Sequence, residues 1–237
     1  ILLESTYRTI VAASPVFSSW VAKPTLLTTK ISLSSALILK KPDAYVIVAT
    51  IRALRYQGGA KKGEYENPNL PFLKNGFGNL AKHIENGFKF GFKPIVAINH
   101  FATDSVEEIN YIIDECEKLG VKAILADEFT KGGAGMTELA EEVVRCAEFY
   151  GNDFKPLYQV EDSVEHKIDT IAKEVYGAES VVYSQKAKNQ LKTIYDLGFD
   201  KVPICMAKTQ KSLTDDETKL GRPTNFKIRV REFEFAA

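Results

Sequence analysis

The sequence predicts an α/β fold in which a parallel sheet is flanked by helices, followed by a smaller α+β region. Three short apolar runs rich in β-branched residues each precede a segment whose apolar residues recur with the helical period. Strands and helices that alternate at this spacing indicate βαβ units, and βαβ units give a parallel sheet. The pattern changes after Gly151. We therefore expect a parallel α/β portion over residues 41–151 and a smaller α+β region over residues 152–237.

The predicted strands of the first portion are continuous apolar runs, as in strands that are buried on both faces. They are Ala44–Thr50, Pro94–Asn99 and Val121–Asp127. The predicted helices are Phe72–Gly91, Ser105–Leu119 and Thr137–Phe149. Ser105 is expected to cap the second helix, because Glu108 follows three residues later and Gly120 stands just beyond its end. Gly58 to Pro71 is expected to be a loop.

The second region is predicted to hold two amphipathic helices and several short strands. The helices are Val164–Tyr176 and Gln185–Leu197, separated by the short run Ser180–Tyr183. Pro203–Ala207 is expected to be a strand, and Phe226–Phe235 a longer one. In the latter, apolar and charged residues alternate, which is typical of a half-exposed strand.

The charge and apolar patterns argue against two classes of partner. The 237 residues include 31 Lys or Arg and 31 Asp or Glu, so the formal net charge is zero. Nucleic-acid binding is not expected, because the chain lacks the broad positive field that nucleic-acid backbones attract. A membrane span is not expected either, because no uncharged apolar run reaches about 18 residues.

The cysteines and the first forty residues bear on the cellular setting. Cys116, Cys146 and Cys205 lie far apart, without the spacing of a zinc site or a disulfide framework. Reduced thiols suit an intracellular protein, and we expect a cytoplasmic location, with an organelle as the alternative. Residues 1–40 have Glu4 as their only acid and are poor in Arg. They fit a segment that begins in mid-protein better than an Arg-rich transit peptide.

The first part of the candidate site follows the strand Pro94–Asn99. Ligands of open parallel sheets bind beyond the carboxyl ends of the strands. Asn99 offers a donor and an acceptor and Asp104 accepts two donors, so this loop could grip the edge of a heterocycle. Alternatively, Thr103 or Asp104 only caps the helix that follows. His100 is the one histidine predicted at this edge and is a weaker candidate.

The second part follows the strand Val121–Asp127. Lys131 precedes a glycine-rich turn that includes Gly132 and Gly133. Glycines let a ligand approach the backbone, and a helix start beside a lysine favours anions. A tight strand-to-helix connection could need the same glycines without any ligand.

Two phenylalanines are more informative than the glycines. Phe101 and Phe129 each lie two residues past a predicted strand, where a core phenylalanine is less expected. Taken singly, each would more often belong to the core. Two aromatic faces at one sheet edge, however, could hold a flat ring between them by offset stacking.

Known catalytic motifs are absent from the sequence. It contains no H-E-x-x-H, no G-x-S-x-G and no G-x-x-x-x-G-K-[ST] phosphate loop. If the protein handles a nucleotide, we expect the cradle for its phosphates to lie outside this chain. Lys208, after the predicted strand Pro203–Ala207, could face a phosphate or a carboxylate.

Seven segments, in order along the chain, resemble the formate–tetrahydrofolate ligase family. They are VIVATIRALRYQGG (Val46–Gly59), NLAKHIEN (Asn79–Asn86), PIVAINHFATDS (Pro94–Ser105), KGGAG (Lys131–Gly135), FKPLY (Phe154–Tyr158), KIDTIAKEVYGAE (Lys167–Glu179) and PICMAKTQ (Pro203–Gln210). The resemblance runs from about Pro42 to Ala237 and does not include residues 1–40. It implies a sheet like that of P-loop nucleotide hydrolases, with the phosphate loop missing.

The resemblance also implies a reaction. ATP phosphorylates formate, and N10 of tetrahydrofolate attacks the formyl phosphate to give 10-formyltetrahydrofolate. Mg²⁺ accompanies ATP, a monovalent cation such as K⁺ supports the family's enzymes, and the full enzyme is expected to be a homo-oligomer. Phe101 matches the aromatic on one side of the pterin and Phe129 its partner, typically a Trp, while Asn99 and Asp104 also match the family pattern. Gln57 replaces a common His.

The missing phosphate loop limits what this chain is expected to do. We expect a ligase fragment that is inactive alone and retains some folate affinity. The alternatives are a non-catalytic folate-binding or subunit-interaction module, or a gene product that folds poorly because normally covered edges are exposed.

Overall fold

Four parallel strands form the main sheet of the computed structural model, which describes residues 10–13, 43–149, 153–206, 212–216 and 218–234. The strands are β1 Ile10–Ala13, β2 Ala44–Ala49, β3 Ile95–Asn99 and β4 Lys122–Ala126. They lie side by side in the order β1-β2-β3-β4, and each neighbouring pair is parallel. The three predicted strands and the parallel α/β fold are confirmed. The fourth strand, β1, lies in the segment to which the sequence analysis assigns no structure.

Seven α-helices are described. They are α1 Ile51–Gln57, α2 Leu70–Lys89, α3 Val106–Lys118, α4 Glu128–Lys131, α5 Thr137–Phe149, α6 Val164–Thr170 and α7 Gln185–Asp196. A 3₁₀ turn, Gly132–Met136, joins α4 to α5, and a π-helical turn, Ile171–Tyr176, continues α6. None of the helices in the described ranges has both the length and the apolar character that a membrane crossing needs.

Apolar side chains cover the two faces of the main sheet unequally. On one face, α1, α2 and α3 bury a large cluster that includes Ile47, Leu80 and Ile112. On the other face, α5 packs Leu139 and Cys146 against β2, β3 and β4. The face beneath α1, α2 and α3 is therefore the main core of the molecule.

Helix α1 is not predicted by the sequence analysis. Its seven residues are too few to display a helical repeat. It packs very tightly against α2, since a Cβ on Gly76 would lie 1.9 Å from the Leu54 carbonyl oxygen and one on Gly58 would lie 1.8 Å from that of Phe72. Gly76, which lowers the helix propensity of α2, is thus required by the contact between the two helices.

The second region contains a small parallel sheet. Its strands are β5 Ser180–Tyr183 and β6 Lys227–Val230. Strand β6 is shorter than the predicted Phe226–Phe235, because its partner β5 ends where Ser184 caps α7. Residues 231–234 bond to side chains of this region instead, with the Ser184 hydroxyl donating to the Arg231 carbonyl and the Gln190 amide to that of Phe233; residue 235 lies outside the described ranges. The predicted strand Pro203–Ala207 is wrong for residues 203–206, which have no regular structure; residue 207 lies outside the described ranges.

A buried ion pair joins the elements that lead to the carboxyl edge of the main sheet. The Arg55 guanidinium on α1 donates to both carboxylate oxygens of Glu108 on α3, at 2.8 and 2.6 Å. Glu108 also accepts from the Asn69 backbone N–H at the start of α2 and from the Ser105 hydroxyl. Ser105 caps α3 in a capping box with Glu108, as predicted.

The hydrogen bonds that Glu108 accepts lower its pKa. Burial acts to raise the pKa of Glu108, but hydrogen bonds from Arg55, Ser105 and Asn69 outweigh it and leave this pKa below its ordinary value. Glu108 is therefore a carboxylate in the folded protein at neutral pH, matched by the Arg55 charge.

Replacing Glu108 by Gln is expected to reduce the free energy of unfolding by about 3 kcal/mol, because it removes the carboxylate that bonds the buried Arg55 guanidinium through both of its oxygens. Urea denaturation would measure the change. The matched control is Glu115→Gln on the same helix, where the pair with the largely exposed Lys118 is worth about 1 kcal/mol or less. Equal losses in the two variants would contradict the importance of the buried pair.

Candidate functional site

Two loops leave the carboxyl edge of the sheet side by side. We call residues Asn99–Asp104 the β3 loop and residues Asp127–Gly135 the β4 loop. Asn99 is paired with Ala126 in the sheet, and the His100 backbone N–H donates to the Ala126 carbonyl at 3.0 Å. The two loops thus begin at the same point, as the parallel topology predicts.

In the β3 loop, Asp104 closes a tight turn. Its Oδ2 accepts from the Phe101 backbone N–H at 2.8 Å, and its fully buried side chain lies 3.8 Å from the Arg55 guanidinium. Burial raises the pKa of Asp104, against the opposing effects of the Phe101 N–H and Arg55. The alternative that Thr103 or Asp104 caps the next helix is wrong, because Ser105 occupies that position. Asp104 as a ligand contact stays a prediction.

Phe101 is half-buried and backed by a cation. The Arg52 guanidinium carbon lies 4.3 Å from the centre of the Phe101 ring, within the range of a cation–π interaction. Arg52 also donates to the Thr103 hydroxyl at 3.2 Å. One face of the ring is therefore covered by Arg52. No local signal in the sequence points to Arg52, because only the fold of α1 brings it to this edge.

Asp127 is the polar centre of the β4 loop. Its Oδ1 lies 3.2 Å from Nδ1 of His100, and its Oδ2 lies 3.2 Å from the Lys131 amine. Hydrogen bonds from His100, Thr130 and Lys131 lower the pKa of Asp127 to about 2. The weaker candidate His100 thus joins the β3 loop to the β4 loop, and the Lys131 charge is partly compensated by Asp127.

Phe129 lies on the short helix α4, with 94% of its surface exposed. The glycines after it differ in their constraints. Gly132 has a φ of 58°, a left-handed conformation that favours glycine, whereas a Cβ on Gly133 would meet no atom within 4 Å. A Cβ on Gly135 would lie 2.2 Å from the Asp127 carbonyl oxygen. Gly135 is thus needed for packing, and Gly133 leaves backbone open to the surroundings.

The structure gathers most of the predicted site residues at one edge. Asn99 is the last residue of β3, Phe101 follows β3, and Phe129, Lys131 and the Gly132–Gly133 turn follow β4. Lys208 lies outside the described residues. Among the described residues, no three His, Cys, Asp or Glu side chains converge as metal ligands.

Comparison with known proteins identifies the family. Residues 30–237 match the family model for formate–tetrahydrofolate ligase. The chain belongs to the formate–tetrahydrofolate ligase family. The resemblance noted in the sequence is thereby confirmed, and the matched range begins inside residues 1–40.

Two curated ligases show how much of the family this chain represents. Formate–tetrahydrofolate ligase of Limosilactobacillus fermentum is 50% identical over 194 residues, which are 82% of this chain and 35% of the relative. Formate–tetrahydrofolate ligase 2 of Lactobacillus acidophilus is 48% identical over 191 residues, which are 81% of this chain and 34% of the relative. The chain spans about a third of the length of these ligases.

Gln57, which departs from the family resemblance, has a structural role here. It is buried, and its Oε1 accepts from the Gly221 backbone N–H at 2.9 Å. The carbonyl of Gly221 in turn accepts from the Asn79 amide at 2.8 Å. Gln57 and Asn79 together hold the Gly221 turn against α1 and α2.

The two β4-loop glycines allow a matched test of this geometry. Gly135→Ala is expected to reduce the free energy of unfolding by roughly 2 kcal/mol or more, because the added methyl group collides with the Asp127 carbonyl. Gly133→Ala should change it by less than about 0.5 kcal/mol. Urea denaturation of both variants decides the point, and equal stabilities would show that the close approach at Gly135 is absent.

Proposed function

We propose that this chain supplies the tetrahydrofolate-binding edge of a formate–tetrahydrofolate ligase, with the pterin ring held between Phe101 and Phe129. The reaction of the whole enzyme is the ATP-dependent formylation of tetrahydrofolate to 10-formyltetrahydrofolate. The observation that carries the proposal is that an exposed Phe129 and a half-buried Phe101 follow two neighbouring strands of the sheet.

The exposure of Phe129 supports a ligand-binding role. A fully exposed phenylalanine gains nothing from burial in the fold, while an aromatic ligand stacked on it would bury much of its ring. Phe101 differs, because Arg52 already covers one of its faces and fixes the ring. Its second face then serves as a preformed wall for a flat heterocycle.

The other predicted residues have secondary roles in the proposal. Asn99 would read the edge of the heterocycle, while the fully buried Asp104 would hold the turn that carries Phe101. Gly132 and Gly133 would let the ligand approach the backbone. Lys131, with 64% of its side chain exposed, would attract an anionic group. ATP and formate enter as substrates of the whole ligase, with Mg²⁺ and K⁺, and no residue of this chain is assigned to either ion.

Ring binding is tested by calorimetric titration of the chain with tetrahydrofolate. Phe101→Ala and Phe129→Ala are each expected to weaken binding by about tenfold, because each removes one stacking surface. Phe129→Trp should strengthen it by about threefold, since a larger ring offers more contact.

The control for these titrations is stability. Phe129→Ala should leave the free energy of unfolding within about 0.5 kcal/mol of the parent, because the side chain is exposed. Equal heats for the parent chain and both alanine variants would refute the pterin clamp.

A subunit-interaction module is a second candidate, favoured by an exposed apolar strip on α5. A groove of about 570 Å³ runs along this helix and is lined by Met136, Ala140, Val144 and Phe149 among others. Val144 is 50% exposed and Phe149 is 77% exposed. The homo-oligomer expected for the family would cover such a strip with a second copy of the chain.

Sedimentation velocity tests this second candidate. If a second copy covers the strip, the parent chain should sediment as a dimer or larger assembly, and Val144→Glu should convert it to a monomer by placing a charge in the contact. Glu141→Gln, which alters the same groove without adding a charge, serves as the control. A monomeric parent chain would exclude self-association through α5.

A further inference from the structure

We propose that the hydrogen bond between His100 and Asp127 sets the distance between the Phe101 and Phe129 rings, which we call the two walls. His100 and Asp127 are then positioning residues for ring binding. The inference rests on the proposed function, because it assumes that a flat ring lies between Phe101 and Phe129. It assigns roles to two side chains that neither stack on the ring nor belong to the predicted contacts.

The location of the bond is the first argument. The backbone hydrogen bond from His100 to the Ala126 carbonyl links β3 to β4 at the end of the sheet. Beyond that bond, Nδ1 of His100 lies 3.2 Å from Oδ1 of Asp127 and joins the two loops. His100 directly precedes Phe101, and Asp127 stands two residues before Phe129. The bond therefore acts at the base of both walls.

The second argument is that Asp127 is held firmly within its own loop. The Lys131 amine lies 3.2 Å from Oδ2, and the Asp127 backbone N–H donates to the Gly135 carbonyl at 3.2 Å. The Asp127 side chain is only 7% exposed, and that of His100 is 22% exposed. A hydrogen bond to a carboxylate is stronger when it is shielded from water, so the bond can fix a distance between loops.

The third argument concerns the two ring nitrogens of His100. With Asp127 ionised, Nδ1 carries the proton and donates, so Nε2 is left as the acceptor in the neutral ring. An asparagine amide places its nitrogen near the Nδ1 position, whereas a glutamine amide reaches the Nε2 position instead. His100→Asn therefore retains the donor to Asp127, and His100→Gln loses it.

Calorimetric titration of the full chain with tetrahydrofolate separates these variants. His100→Asn should bind within about threefold of the parent chain. His100→Gln and His100→Ala should bind about tenfold more weakly, the loss expected for one hydrogen bond to a charged group. His166→Gln, at an exposed histidine of α6 that belongs to neither loop, should bind like the parent. Thermal unfolding of each variant confirms that binding is measured on folded protein.

A double-mutant cycle tests whether His100 acts through the walls. If it does, His100→Gln should cost much less affinity in a Phe129→Leu background than in the parent, because the second wall is already degraded. A merely structural bond would lower the unfolding temperature while the effects on affinity remained additive.

The outcomes separate this inference from the proposed function. If the parent chain does not bind tetrahydrofolate, the proposed function fails and this inference fails with it. If the parent binds but His100→Asn and His100→Gln are equally weakened, or the cycle is additive, the positioning role alone is overturned. Rescue by asparagine together with a non-additive cycle would support it.

Discussion

The site depends on the buried ion pair between Arg55 and Glu108. Burying two charges is costly unless their remaining donors and acceptors are also satisfied. Here Glu108 accepts from Arg55, Asn69 and Ser105, so one carboxylate ties together the starts of α2 and α3 and the body of α1. Arg52 stands three residues before Arg55 and thus near the same side of α1. The helix position that satisfies Glu108 therefore also places Arg52 over Phe101.

Local sequence signals were sufficient to predict the strands and helix caps that depend mainly on their own residues. The apolar runs predicted β2, β3 and β4, and Ser105 with Glu108 predicted the cap of α3. The strand expected at Pro203–Ala207 was wrong for residues 203–206, where the Ile204 backbone N–H and carbonyl bond to the Tyr158 hydroxyl. An apolar run becomes a strand only beside a neighbouring strand. Such a neighbour is a property of the whole fold, which local residues do not encode.

The location of the candidate site could be predicted from the sequence, but only some of its side-chain contacts could. Parallel topology brings the ends of β3 and β4 together, so Phe101 and Phe129 could be expected at one edge. The contacts of Arg52 with Phe101 and of His100 with Asp127 span 49 and 27 positions of the chain. Neither contact could be predicted, because no local pattern in the sequence connects residues that lie so far apart along the chain. Similarly, Gly76 weakens α2 locally and is explained only by its contact with α1.

The β4 loop combines an exposed aromatic side chain with a constrained backbone. The Asp127 N–H bond to Gly135, the Lys131 amine beside the Asp127 carboxylate and the close packing at Gly135 restrict the loop from within. Binding a ring would then cost little entropy for ordering the loop. The main entropy cost would be the rotamer freedom that Phe129 loses. Affinity at such a site depends on the contact area of the residue at position 129 and on the gap to Phe101. In the proposed clamp, folding would already meet this ordering cost, so a smaller aromatic at this position would weaken ring binding without abolishing it.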